Sequence, residues 1–110
     1  KMAKGSPKDR LRQIMEIFVE YDLTRYDLAV RAWADSDPAV ANRYDGVIRQ
    51  RLEFVSSLFA ELGFEGAELE MRTRLFVCFH SWESSAFPAM SKKARLELIP
   101  LRLELLTRKT

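Results

Sequence analysis

A chain of 110 residues fits the usual single-domain range of roughly 100–200, so one domain around one core is expected. With 47% hydrophobic and 31% charged residues it is no disordered chain, and no apolar run approaches the roughly 18 residues a bilayer span needs. The net charge of +2 is spread over interspersed residues of both signs, without the basic face that phosphate binding requires, so this segment is not expected to bind nucleic acid.

The N-terminal KMAKGSPKDR has no apolar signal core, which points to a soluble, cytoplasmic protein with no membrane partner. One cysteine excludes an internal disulfide, and one cysteine with one histidine cannot make a standard structural zinc site. Four glycines, four prolines and few β-branched residues, set among abundant Leu, Ala, Glu, Arg and Lys, favour helices throughout.

Ser6-Pro7-Lys8-Asp9 has the form of a helix start, with a Ser N-cap, proline at the first helical position and an acidic residue near the positive helix end. The first helix should run from about 7 to 21, its stripe formed by Leu11, Ile14, Met15, Phe18 and Tyr21. A second fits 23–35, with Asp27, Arg31 and Asp35 on one face and Tyr26, Val30 and Trp33 on another. Asp37 can cap, and Pro38 begin, a third helix reaching about Leu62, where Gly63 supplies the stop. Its stripe is broad, running from Val40 and Tyr44 to Phe59 and Leu62.

A fourth helix is expected from about 67 to 87, with Glu68 and Glu70 near its start and Pro88 just beyond its end. The segment RLELIPLRLELL partly alternates as a strand would. Leu, Glu and Arg nevertheless prefer helix, and Leu96, Ile99, Leu103 and Leu106 form a helical stripe, so a fifth helix is expected over about 92–108. Pro100 should kink or divide it. The expected fold is an all-α bundle of five helices.

The stretch FVCFHSWESSAF, residues 76–87, collects polar side chains of the kind found in hydrolase and metal sites. On a helix His80, Glu83 and Ser84 can touch, but mid-helix amides cannot form an oxyanion site and no G-x-S-x-G turn lifts a serine clear. Cys78 and His80 diverge by about 200° around the axis, which excludes a shared metal. No catalytic residue, metal or cofactor is expected, and the protein is not read as an enzyme. The helix carries three weakly polar stripes and no charged one, so most of its surface should be covered. Its small residues Cys78, Ser81 and Ser85, with Leu96, Ile99, Leu103 and Leu106 of the last helix, suit a four-helix interface with a second copy, that is, a homodimer.

Arg31, Trp33 and Ala34, then Asp37, Pro38 and Val40, then Arg51 and Leu52, Leu58 and Phe59, and Leu62, Gly63 and Phe64 follow one another in an order and spacing that resembles the TetR/AcrR family of transcription regulators. The ending SKKARLELIPLRLELLTR, residues 91–108, also looks like that family's last helix. Ile48 stands where relatives often carry an acidic residue, so the resemblance supplies no partner for Arg51. It implies an effector-binding and dimerisation domain of a repressor, whose helix-turn-helix domain would precede this segment and make the DNA contacts. It also implies a ligand pocket inside each bundle, for an unidentified effector, apolar or aromatic in character. Met15, Phe18, Tyr26, Trp33, Tyr44, Arg51, Phe79, His80 and Trp82 are the candidate ligand-binding residues. A helical adaptor that dimerises without a ligand is the alternative.

Overall fold

The computed structural model describes residues 5–109. Every regular element among them is helical: α1 (Pro7–Glu20), α2 (Leu23–Ala34), α3 (Pro38–Glu61), α4 (Gly66–Ala86), α5 (Lys92–Glu97) and α6 (Ile99–Thr107). The first four match the expected helices to within a residue at either end. The fifth expected helix is divided in two, as Pro100 foretold.

Local chemistry explains these boundaries. Ser6 accepts the Asp9 amide at 3.2 Å, and Asp37 accepts the Ala39 and Val40 amides at 3.0 and 3.4 Å, each followed by proline. At the far end of α3, Gly63 adopts φ +104°, a conformation open to residues without a Cβ. Its amide reaches the Ala60 carbonyl and that of Phe64 the Phe59 carbonyl. This is a Schellman closure, and the Phe59 and Phe64 rings meet edge-on at 6.1 Å as its apolar contact. Between α1 and α2 the chain reverses through Asp22, whose φ of 52° is one that Asp tolerates better than most residues.

The break at Leu98 places Pro100 at the second position of α6. There the missing N–H has no intrahelical acceptor to lose, so the cost of about 3 kcal/mol in an unbroken helix is avoided. Arg102 resumes the pattern with a 3.0 Å bond to the Leu98 carbonyl.

Two layers of different chemistry hold the helices together. The apolar core joins Leu11, Met15 and Val19 of α1 with Val55, Leu58 and Phe59 of α3, Phe64 of the loop that follows, Phe76 and Val77 of α4, and Ile99 and Leu103 of α6. Fully burying side chains of this kind is worth about 1.5–3 kcal/mol each. α2 supplies nothing to that core. The residues it buries are polar, Thr24 and Asp27, while Tyr26, Leu28 and Trp33 face solvent. α2 is therefore fastened by hydrogen bonds and ion pairs, with much of its apolar surface turned outward.

Several residues expected to meet a second copy are already engaged within the chain. Ser81 is wholly buried, and Ile99 and Leu103 belong to the chain's own core, with Leu96 and Leu106 packed against it. Ser85 is exposed but its hydroxyl accepts a hydrogen bond from Arg31. Of the residues proposed to meet a second copy, Cys78 is the one left open. The stripe on the last helix was expected to be covered by a second copy; Ile99 and Leu103 are instead buried within the chain, where α6 packs on α1 and α4. The open apolar positions lie elsewhere on the same helices, at Met71 and Leu75 of α4, at Leu98, and at Leu101 and Leu105 of α6. No helix among the described residues is long and apolar enough to cross a membrane.

Candidate functional site

α2 and α3 run antiparallel from the turn at 35–37, and the groove between them measures about 400 Å³. Tyr26, Val30 and Trp33 line one wall at helical spacing, and Val40, Arg43, Tyr44 and Val47 line the other. Asp27 and Arg51 close its inner end. A volume of this size lies near the lower end of the range for small-molecule sites.

The floor is a buried polar seam. Asp27, 2% exposed, receives both terminal nitrogens of Arg51 at 2.9 and 3.0 Å, and Arg51 Nη1 also donates to Ser81 Oγ at 2.8 Å. A two-pronged pair of this geometry satisfies the guanidinium and the carboxylate together. Beside it, Arg31 Nη1 donates to the Tyr44 hydroxyl at 3.2 Å and to the Ser81 carbonyl at 3.0 Å, and Nη2 donates to the Ser85 hydroxyl. The Arg31 guanidinium lies 4.2 Å over the Trp82 ring. Thr24 Oγ1 accepts the Ser84 amide at 3.0 Å. Asp27 and Arg31, one turn apart on α2, thus reach different partners on α3 and α4.

His80 anchors a second cluster at the junction of α1, α4 and α6. Its Nδ1 lies 2.6 Å from the Phe76 carbonyl and so must carry the proton, which leaves Nε2 to accept from Arg102 Nε at 3.2 Å. The rings of Phe18, Phe76 and Phe79 surround it at 5.8, 4.3 and 5.3 Å. Burial pushes the imidazole down to about 3; the Phe76 carbonyl works against this, and the charges of Arg102 and Arg95 add to it. His80 is therefore neutral near pH 7, a hydrogen-bonded core group. Burial also lowers the Arg102 guanidinium below its ordinary value.

The nine candidate ligand residues do not converge. Tyr26, Trp33, Tyr44 and Arg51 line the α2–α3 groove. Phe18, Arg51 and His80 border a separate void of about 70 Å³, too small for most metabolites. Met15 is sealed in the core, Phe79 lies under the Arg102 guanidinium, and Trp82 lies under that of Arg31. The groove lies between α2 and α3 and is open to solvent. Asp27 and Arg31 were missed as members of the site, though the i,i+3,i+7 spacing of Thr24, Asp27 and Arg31 held the signal that a polar face of α2 turns inward.

A hollow of about 620 Å³ opens between the α1–α2 turn and residues 87–92. Its charges are matched to one another: Arg95 forks onto Glu83 and also meets Asp22, Lys92 meets Glu20, and Arg25 meets Asp22. Burial opposes the Arg95 charge, but Glu83 and Asp22 outweigh it and raise the guanidinium above its ordinary value. That surface is a cross-link between α1, α4 and α5. Among the described residues no three His, Cys, Asp or Glu side chains are grouped to hold a metal ion. Compared with known proteins, the chain matches no family model, no curated protein and no solved structure.

Proposed function

We propose that this chain is the effector-sensing and homodimerising domain of a TetR-like transcriptional repressor, with the α2–α3 groove as the effector site. The single observation that carries it is the inversion of α2. This helix buries Thr24 and Asp27 and presents Tyr26 and Trp33, 68% and 60% exposed, to an apolar groove. Two large half-uncovered aromatics beside valines are costly to leave hydrated and offer a ligand a ready surface. Because α2 is held to α3 and α4 through the Arg51–Asp27 and Arg31–Ser81 contacts, a ligand wedged between α2 and α3 acts on those contacts. A ligand that prefers one spacing of the helices shifts their equilibrium, and the shift passes to the DNA-reading domains of the parent protein. The domain makes no DNA contact itself.

Thermal denaturation tests the sensor. Aromatic or apolar metabolites should raise the melting temperature of wild type and leave that of Trp33→Ala unmoved. A broad metabolite screen without any such shift refutes the reading.

The exposed stripe Met71, Leu75 and Cys78 on α4, beside Leu101 and Leu105 on the packed α6, favours association of two copies through these helices. The same stripe, with an interior void of only about 70 Å³, also supports a second reading as a dimerisation module without a ligand. Sedimentation at micromolar concentration should give a dimer, and Leu101→Glu with Leu105→Glu a folded monomer; a wild-type monomer removes the dimer from both readings.

A further inference from the structure

We infer that the α2–α3 groove takes a small amphipathic carboxylate, its aromatic or alkyl body laid along Trp33 and Val47 and its carboxylate on Arg43, an inference that rests on the groove being the effector site. Three charged side chains line the groove: Asp27, Arg51 and Arg43. Asp27 and Arg51 neutralise each other through two hydrogen bonds, so neither is left to recognise a ligand. Arg43 differs. It is exposed on the groove wall with no hydrogen-bond or ion-pair partner among the described residues, so the lining carries one uncompensated positive charge. A guanidinium matches a carboxylate with two parallel N–H donors, a geometry that a neutral amide or an amine cannot use.

The rest of the groove sets the other end of the ligand. From Val40 to Arg51 the α3 wall spans eleven residue steps, about 16 Å at the helical rise, with Val40, Val47 and the facing Val30 and Trp33 apolar. That length suits a single ring with a short side chain or an alkyl chain of about ten carbons, with the charge at one place only. A dianion would bring a second charge against valines or against Asp27, and a cation would meet Arg43.

The test is a 1H–15N NMR titration of the chain with 4-phenylbutanoate and decanoate, each beside its uncharged primary amide, in wild type, Arg43→Gln and Trp33→Ala. The carboxylates should bind saturably, on the order of 1 mM or tighter, and shift the Trp33 indole N–H. The amides should bind about two- to fivefold more weakly, as loss of one exposed charge-assisted contact implies. Arg43→Gln should bring the acids to the level of the amides without altering the amides, and Trp33→Ala should weaken both. Equal binding of acid and amide, or an Arg43→Gln variant that keeps the preference, overturns the carboxylate assignment and leaves the groove a sensor of neutral ligands. No shift with any of the four compounds overturns the carboxylate and the effector groove together.

Discussion

Acidification should destabilise this protein through His80. The imidazole is 2% exposed, donates from Nδ1 to the Phe76 carbonyl and accepts at Nε2 from Arg102. Adding a proton at Nε2 would oppose two N–H donors and leave a charge among the Phe18, Phe76 and Phe79 rings. The folded group is accordingly pushed from 6.5 down to about 3. The sign follows directly: the unfolded chain takes up the proton below about pH 6.5 and the folded chain does not until about pH 3. The His80 contribution is thus fully present above pH 6.5 and drains away as pH falls through this window. One unit of pKa corresponds to about 1.4 kcal/mol, so by pH 4.5 the loss relative to pH 7.5 should be about 2–3 kcal/mol.

Urea denaturation at pH 7.5, 6.5, 5.5 and 4.5, in wild type and His80→Gln at one protein concentration, isolates this term, because other titrations are common to both. The stability difference between the two proteins should narrow by about 2–3 kcal/mol between pH 7.5 and 4.5. Parallel pH curves would refute a neutral, buried His80.

Asp27→Asn leaves Arg51 without its carboxylate. Since the Arg51 side chain is 25% exposed and can turn partly to water, the loss should be about 2–3 kcal/mol, below that of a fully buried pair. A double-mutant cycle with Arg51→Met by urea unfolding should return a coupling above about 1 kcal/mol, and a value near zero would mean that the pair is incidental. Pro100→Ala should change stability by less than about 1 kcal/mol, because the break at Leu98 already removes the clash and the unmet donor; a loss above 2 kcal/mol by the same assay would show that the proline stiffens the junction.

Much of this fold was written in short-range signals. Ser6-Pro7, Asp37-Pro38, Gly63 and Pro100 each act on backbone groups within four residues, so the positions of helix ends followed from the sequence with little context. The buried stripes were equally legible, since Leu11, Met15, Val55, Leu58, Phe59, Ile99 and Leu103 all lie at helical spacing and all reach the core. The partners of those stripes were not. A period of 3.6 says that a face is covered without saying by which helix, which is why Ser81, Ile99 and Leu103 were assigned to a second copy and are found inside the first.

The polar seam marks the same boundary between local and long-range information. The resemblance offered Arg51 no partner, and Asp27 supplies one from 24 residues away on another helix. Its own sequence neighbourhood placed Asp27 with Arg31 and Asp35 on one charged face of α2. The sequence by itself determined that the chain is helical and where each helix starts and stops. Only the tertiary structure decided that Asp27 turns inward, that Tyr26 and Trp33 turn outward into a groove, and that Arg43 stands there alone. The reason is physical: capping and periodicity act over one or two helical turns, whereas the pairing of buried charge and the partitioning of aromatic surface are settled by which helices meet.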